Sequence, residues 1–577
     1  MTQDIRTHLS DLLRAALSSV APGEAQTPIV LERPKQEAHG DFATNLALQL
    51  ARPLKKSPRE IAQRLVAELP ASPRVEKVDI AGAGFINFTL KADAKTAVVR
   101  TILEQGEGFG RAQVGGGRKL QVEFVSANPT GPLHVGHGRG AAYGASLSSL
   151  MAYAGWDVTR EYYVNDAGRQ MDILGVSTWL RYLEALGDTV AFPPNGYQGD
   201  YVKDMGEQLK AAHGAKFQRP IAAIYADVPD VEADKEAYLD GLIANAKKLL
   251  GDQWTFIHHY ALSEQLADGR SDLEEFGVHF DVWFSEKSLY DTGLVARCVA
   301  RREAGGHIYI QDGAKWFRST SFGDEKDRVV QRDNGLYTYF ASDIAYHLNK
   351  YERGFDRIIN VWGADHHGYV PRVKGALQAL DLDPEKLHVA LVQFAVLYRG
   401  GEKAAMSTRS GEFVTLRQLR EEVGNDACRF FYVLRKSDQH LDFDLDLAKS
   451  QSNENPVYYV QYAHARVCSV IDQWGGHEAD LKDADLGLLS LPRETALAAK
   501  LAMFPEVIVN GANELAPHLV AFYLKDLAAD FHSYYNAERM LVEDVGLRDA
   551  RVALAAAVRQ VIRNGMSLLG VSCPTSM

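Results

Sequence analysis

Residues 122–140, VEFVSANPTGPLHVGHGRG, decide the fold of this chain. The segment opens on an apolar run at 122–125, which is typical of a buried strand. Pro129 and Pro132 then interrupt regular pairing, and the small apolar residues of 141–150 have the spacing of a helix that packs closely on a sheet. The sequence therefore predicts a strand, a turn rich in glycine and proline, and a helix in direct succession.

Two histidines, His134 and His137, stand at the predicted start of this helix. A helix start has unpaired backbone N–H groups and a partial positive charge, and both favour phosphate. Gly136 lies between the histidines, where a side chain would block the close approach of a ligand. The pattern indicates a nucleotide-binding helix start, and the alternative is an ordinary turn with two solvated histidines.

The composition is that of an ordinary globular protein with several domains. The 577 residues exceed what one core usually holds, and 46% hydrophobic with 24% charged residues is normal. The four cysteines are scattered without a C-x-x-C pair, which argues against a disulfide framework or a structural zinc site and favours a cytoplasmic location. No apolar stretch is long enough to span a bilayer. The net charge of −12 disfavours a nucleic-acid binder, but local basic patches on an acidic body leave that function open.

The segment 122–137 resembles the HIGH signature of class I aminoacyl-tRNA synthetases, and its wording is most similar to that of arginyl-tRNA synthetases. Two further stretches share the family's wording, YVNDAGRQ at 163–170 and NDACRF at 425–430. The resemblance implies a multidomain α/β protein with four parts. These are a small N-terminal α/β domain that binds the tRNA D-loop and corner (1–105), a linker (106–117), a Rossmann-type parallel-sheet catalytic domain (118–445) with an insertion at about 190–330, and an all-helical anticodon-binding domain (446–577).

The resemblance also implies the residues that handle ATP. The HIGH region supplies Asn128, Pro129, Thr130, Gly131, Pro132, Leu133, His134, Val135, Gly136 and His137. A second, glycine-flanked loop stands where the family has K-M-S-K-S, and it keeps Met406 and Ser407 but holds Ala405 and Thr408 at the two lysine positions. The cation that contacts pyrophosphate is therefore open among Arg409, Lys403 and Lys119. Mg²⁺ is expected to enter with ATP, and no protein-held metal site is expected.

A buried guanidinium needs acceptors, usually carboxylates, in a planar arrangement. Family correspondence places Glu123, Tyr339 and Asp343 around the guanidinium of arginine. It places Ser126, Asn128, His134 and His366 around the α-amino and carboxylate end. Read without the family, each acid is a solvated surface group, but both lie beside predicted buried strands of one sheet.

Two regions are expected to contact tRNA. Family correspondence puts Phe85 and Asn87 of the sequence GFINF beside a D-loop base, where stacking and one amide could recognise it. In the helical tail, Tyr458, Tyr459, Tyr462, His464 and Arg466 lie on one predicted helix, 456–474, whose aromatic and basic groups suit stacked bases.

The resemblance thus implies an arginine–tRNA ligase, an enzyme that forms arginyl-tRNA(Arg), AMP and diphosphate from ATP, L-arginine and tRNA(Arg) through an arginyl-adenylate. It also implies that arginine activation waits for bound tRNA. A monomer that makes no membrane contact is expected. Three alternatives stay open: another class I synthetase such as a cysteinyl or glutamyl enzyme, a smaller HxGH nucleotidyltransferase, and a catalytically silent tRNA-binding paralogue.

Overall fold

The computed structural model describes residues 5–34, 36, 39–404 and 413–577. Met406, Ser407 and Arg409 of the second loop lie outside the described residues.

The N-terminal part is a three-stranded antiparallel sheet covered by helices. Its elements are α1 (Ile5–Val20), β1 (Phe42–Thr44), α2 (Leu46–Leu54), α3 (Pro58–Ala67), β2 (Val75–Ala81) and β3 (Phe85–Leu90), with strand order β1-β3-β2. The hydroxyl of Ser57 caps α3 by accepting a hydrogen bond from the N–H of Glu60 at 3.2 Å, as the Ser-Pro pair predicts. Pairing with β3 buries Phe42 and Thr44 as strand residues.

The segment 106–117, expected to be a linker, is packed against its surroundings. It follows α4 (Ala92–Gln105), and the ring of Phe109 lies 6.2 Å from that of Phe504 in the helical domain. A Cβ on Gly115 would lie 2.5 Å from the backbone nitrogen of Trp156. Gly115 therefore allows close backbone packing, and this part of the segment lies against the central domain.

The first half of the central domain is β4 (Lys119–Glu123), α5 (Val135–Tyr153) and β5 (Asp157–Val164). The two strands pair in parallel, with Glu123 opposite Glu161, so the predicted strand, turn and helix are confirmed and form a βαβ unit with β5. The next elements are α6 (Arg169–Ala185), α7 (Asp200–His213), α8 (Ile221–Ile224), α9 (Lys235–Leu250), α10 (Asp252–Glu275), β6 (Val282–Ser285), α11 (Lys287–Asp291), α12 (Leu294–Ala304), and an antiparallel sheet of β7 (Ile308–Gln311), β8 (Ala314–Phe317) and β9 (Arg328–Gln331).

The second half completes a five-stranded sheet in the order β11-β10-β4-β5-β6. Its elements are α13 (Tyr339–Glu352), β10 (Arg357–Gly363), α14 (Val370–Gln378) and β11 (Leu387–Val392). All four pairings are parallel. Strand β6 lies inside the range 190–330 and pairs with β5 of the central sheet. That range is therefore part insertion and part central sheet.

The apolar run 388–398 is divided between two strands in different sheets. After β11, the chain forms β12 (Ala395–Arg399), which pairs with both β13 (Glu402–Lys403) and β14 (Leu441–Asp444) in the order β13-β12-β14. The short helices α15 (Leu416–Val423), α16 (Asn425–Tyr432) and α17 (Leu445–Lys449) accompany this small sheet.

The C-terminal part is a bundle of α18 (Pro456–Trp474), α19 (Pro492–Leu501), α20 (Phe504–Glu514), α21 (His518–Ala537) and α22 (Val545–Leu569). Its apolar core is continuous with that of the central domain. None of the helices in the described part of the chain combines the length and apolar character needed to cross a bilayer.

Candidate active site

The turn after β4 is strained and points a hydroxyl back at the strand. Val125 and Ser126 have φ angles of 66° and 45°, a conformation that is uncommon for any residue with a side chain and most unfavourable for a β-branched one. The Ser126 hydroxyl donates to Oε1 of Glu123 at 3.0 Å and accepts from the N–H of Tyr163 at 3.1 Å. The turn therefore joins the ends of β4 and β5, where ligands bind in open parallel sheets.

His134 and His137 form a stacked pair at the start of α5. Nδ1 of His134 accepts from the N–H of Gly136 at 3.1 Å, and Nδ1 of His137 accepts from the N–H of His134 at 3.2 Å. Because each Nδ1 accepts, each neutral ring carries its proton on Nε2. Burial lowers the pKa of His134, and burial together with His134 lowers the pKa of His137 to about 3. Both rings are thus neutral Nε2–H donors at neutral pH.

Gly136 is required by the His134 ring itself. A Cβ on Gly136 would lie 2.8 Å from Cε1 and 2.9 Å from Nδ1 of His134. A side chain at position 136 would therefore displace the His134 imidazole itself.

The residues between Asn128 and Val135 are held from two sides. The backbone carbonyl of Thr130 accepts from the hydroxyl of Tyr201 on α7 at 2.6 Å, and the same hydroxyl lies 3.0 Å from a Cβ built on Gly131. On the other side, residues 133–135 pair with 414–416 through Leu416 N–H to Leu133 O at 2.8 Å and Val135 N–H to Val414 O at 3.0 Å.

The described residues that follow the second loop lie directly against the helix start. Phe413, the first described residue after it, lies with its ring 5.2 Å from that of His134. Of the candidate cations, Lys403 lies in β13 opposite Tyr398 and is exposed, and Lys119 is exposed at the start of β4.

Three carboxylates surround the Tyr163 side chain at the end of β5. Burial raises the pKa of Tyr163, and so do the neighbouring carboxylates of Glu286, Asp343 and Glu123. The three acids come from β4, from the residue after β6, and from the first turns of α13. Such a group of buried acids suits a cationic ligand.

The Asp343 carboxylate faces His347 and Tyr369. Its Oδ2 is buried, and the Tyr369 hydroxyl donates a hydrogen bond to this carboxylate. Burial raises the pKa of this carboxyl, but His347, Tyr369 and Lys350 outweigh burial and the pKa falls below its usual value. Asp343 is therefore an ionised carboxylate at neutral pH.

Sequence reasoning missed Glu286. This residue is buried, accepts from the Ser342 hydroxyl at 3.0 Å, and accepts from the Asn165 amide at 2.6 Å once that amide is oriented to satisfy both of its ends. The Asn165 amide also lies 3.0 Å from that of Asn128, so a chain of contacts joins the HIGH turn to the acidic pocket. The only signal was an acid directly after a short apolar run, VWFS at 282–285.

Glu123 is already engaged within the protein. Its Oε2 lies 2.6 Å from Nζ of the buried Lys350, and its Oε1 accepts from Ser126. This geometry brings Glu123 to the pocket but favours an indirect role over direct contact with the guanidinium.

Tyr339 and His366 both have exposed side chains. Tyr339 is 63% exposed, and its hydroxyl would lie 3.4 Å from a Cβ on Gly168. The His366 side chain is 61% exposed and pairs with Asp365 at 3.1 Å. Both positions leave these side chains free to close on a ligand, and their assignment stays a prediction.

The two predicted tRNA contacts of the N-terminal domain differ in accessibility. Phe85 is 41% exposed at the start of β3, whereas Asn87 is 6% exposed in the centre of its sheet. The geometry suits stacking on Phe85 and leaves little of Asn87 for a base.

On α18, aromatic and basic groups form a partly exposed cluster. The Arg466 guanidinium lies 4.5 Å from the Tyr462 ring centroid, and Tyr459 packs on His532 with ring centroids 4.5 Å apart. His464 points inward, contrary to expectation, because its Nδ1 bonds to the carbonyl of Pro574 at 2.8 Å and its Nε2 accepts from Arg563 at 2.8 Å.

In the described ranges, no group of three His, Cys, Asp or Glu side chains is arranged to hold a metal ion.

Comparison with known families matches nearly the whole chain. Residues 7–90 match the arginyl-tRNA synthetase N-terminal domain, residues 98–190 and 224–442 match the class I tRNA synthetase (R) catalytic domain, and residues 460–577 match the DALR anticodon-binding domain. The catalytic match leaves out 191–223, which contains α7 and lies within the expected insertion.

Full-length relatives agree. The chain is 72% identical to an arginine–tRNA ligase of Dechloromonas aromatica (strain RCB) and 69% identical to one of Azoarcus sp. (strain BH72), each over 100% of both chains. The fold is that of Thermus thermophilus arginyl-tRNA synthetase, at a TM-score of 0.73 and 24% identity over 99% of this chain and 100% of that one. The chain therefore belongs to the arginyl-tRNA synthetase family, within class I of the aminoacyl-tRNA synthetases.

Proposed function

We propose that this arginine–tRNA ligase activates L-arginine in the cleft between the start of α5 and the acids around Tyr163. The observation that carries the residue assignments is the group of three carboxylates around Tyr163, which the contacts of Asn165 with Glu286 and Asn128 join to the HIGH turn. Asp343 accepts from the arginine guanidinium there, with Glu286 as a second acceptor. Tyr339 and His366 close the open side over the substrate, and Asn128 and Ser126 lie at its α-amino and carboxylate end.

Lysine is rejected by the same groups. A guanidinium satisfies several buried acceptors at once, whereas the shorter ammonium leaves some of them unpaired. A site of this kind discriminates by up to about 10⁴–10⁵-fold. The enzyme then needs no editing domain to distinguish the two amino acids.

Activation requires alignment and charge stabilisation. The arginine carboxylate attacks the α-phosphorus of ATP, the bond to the β-phosphate oxygen breaks, and arginyl-adenylate and diphosphate result. The Nε2–H groups of His134 and His137 donate to phosphate oxygens as negative charge grows on them. Mg²⁺ enters with ATP, whose phosphate charge it neutralises.

Transfer uses the terminal ribose of tRNA(Arg). By family resemblance its 2′-hydroxyl attacks the adenylate carbonyl, and AMP leaves. Phe85 and the Tyr459–Arg466 region of α18 are the proposed tRNA contacts, and activation is expected to wait for bound tRNA. The working form is proposed to be a cytoplasmic monomer, which sedimentation at micromolar concentration would test.

Pyrophosphate exchange, with and without tRNA(Arg), tests this proposal. Arginine should support exchange in the presence of tRNA, and lysine, cysteine and glutamate should not. Asp343→Asn should raise the arginine KM at least 100-fold and leave the ATP KM nearly unchanged. Asp381→Asn is the matched control, because Asp381 is an exposed turn residue at a positive φ that asparagine tolerates. An unchanged arginine KM in Asp343→Asn would remove that residue from the pocket, and exchange with another amino acid alone would overturn the specificity.

A further inference from the structure

A fully buried lysine lies behind the acidic pocket. Lys350 is 0% exposed, and its Nζ lies 2.6 Å from Oε2 of Glu123 and 2.7 Å from Oδ1 of Asn360. The same ammonium lies 4.3 Å from the Tyr346 ring centroid. A buried charge is costly unless it is paired and hydrogen-bonded, and Lys350 meets both conditions with groups from three different elements.

The contacts of Lys350 lead to Asp343 by a second path. The Asn360 amide and Nε2 of His347 lie 2.8 Å apart, and Nδ1 of His347 lies 2.8 Å from the backbone carbonyl of Asp343. If His347 carries its proton on Nδ1, that N–H donates to the Asp343 carbonyl, and Nε2 accepts from the Asn360 amide. Asp343, His347 and Lys350 occupy positions i, i+4 and i+7 of α13, so they share one face of the helix.

Lys350 thus connects both sides of the pocket. Through Glu123 it reaches Ser126 and the strained turn before the HIGH region. Through Asn360 and His347 it reaches the helix that carries Asp343. We infer that Lys350 is a positioning residue for arginine recognition, which holds β4, β10 and α13 in the register that presents Asp343 to the guanidinium. The inference rests on the proposed arginine pocket.

The charge balance supports this role. Glu123, Glu286 and Asp343 are the acids around Tyr163, and the ammonium of Lys350 neutralises the charge of Glu123. The groups that face this cluster are, on β5, Glu161 and Tyr163; beyond β5, Asp166; on α13, Asp343, Tyr346 and His347; directly after α13, Arg353; beyond β6, Glu286; and beyond β10, Tyr369. Arg353 is taken by Glu161, to which it donates at 2.6 and 2.8 Å, so it is no substitute for Lys350.

Lys350→Met tests the inference by steady-state pyrophosphate exchange. The arginine KM should rise at least tenfold, while the ATP KM stays within about twofold. A buried carboxylate without its counter-ion takes up a proton more readily, so arginine kcat/KM in the variant should increase with pH more steeply than in the wild type. Lys248→Met, at an exposed position of α9, is the matched control and should behave as wild type.

A double variant separates positioning from folding. In Glu123→Gln/Lys350→Met both charges are gone, so the steeper pH dependence should vanish while the arginine KM stays raised. If Lys350→Met does not fold by circular dichroism, the double variant decides alone, and a wild-type arginine KM in it overturns the inference. So does a Lys350→Met enzyme whose arginine KM and pH profile match the wild type, or whose arginine and ATP KM rise alike. If wild-type enzyme shows no exchange with arginine, the proposed function fails instead.

Discussion

The imidazole rings of His134 and His137 stack with their centroids 3.7 Å apart. Each Nδ1 is used by a backbone N–H of the helix start, and each Nε2–H remains for a ligand. One atom of each ring therefore caps the helix, and the other is available for catalysis. The two roles can be separated by substitutions that keep one nitrogen position and remove the other.

His137→Asn keeps a polar group near Nδ1, and His137→Gln keeps one near Nε2. If donation to phosphate is the catalytic role, the Asn variant should lose about 10²–10³-fold in kcat for pyrophosphate exchange, and the Gln variant should lose clearly less. The Asn variant should have the higher Tm of the two, because its side chain still caps the helix. Equal losses of kcat would show that the Nε2 position does not matter.

Gly136→Ala should damage the site with little effect on the rest of the fold. The new methyl group would lie under 3.0 Å from two atoms of the His134 ring, so the ring must move. We expect kcat for exchange to fall at least tenfold. Gly140→Ala is the matched control in the same helix, since a Cβ there meets nothing within 4 Å. It should keep full activity and gain up to about 1 kcal/mol of stability. Full activity in both variants would contradict the described ring position.

Local patterns in the sequence were enough to predict the strand–turn–helix. The bounds of α18 were predicted correctly because helical apolar spacing fixes them within one segment. Glu286 was missed because its strand, β6, has four half-buried residues and is defined by pairing with β5, more than a hundred positions away. Lys350 was missed for a similar reason. Nothing in its own segment says that a charged residue is buried, and only the fold brings Glu123 and Asn360 to it.

The raised pKa of Glu286 predicts a pH dependence of arginine binding. Burial raises this pKa and the nearby carboxylates of Asp166 and Asp343 add to it, against the hydrogen bonds from Ser342 and Tyr163. A guanidinium prefers ionised Glu286, so the arginine KM should rise as pH falls through this raised pKa, which lies above the usual value of 4.5. Glu286→Gln should raise the arginine KM at neutral pH and remove this acid limb. An unchanged limb in the variant would assign it to another group.

Arg466 should contribute to tRNA affinity through one phosphate or stacking contact. Its guanidinium lies 4.5 and 4.8 Å from the ring centroids of Tyr462 and Tyr535, and its hydrogen bond to Asn536 keeps it at the surface of the bundle. Arg466→Gln should weaken tRNA(Arg) binding several-fold and, if the contact is to phosphate, reduce the slope of log Kd against log salt by about 1. Arg548→Gln, on α22 beside Asp549, is the matched control. Filter binding between 50 and 200 mM salt measures both quantities, and an affinity loss without a change in slope would assign Arg466 to base stacking. Unchanged affinity would place the tRNA on another face of the bundle.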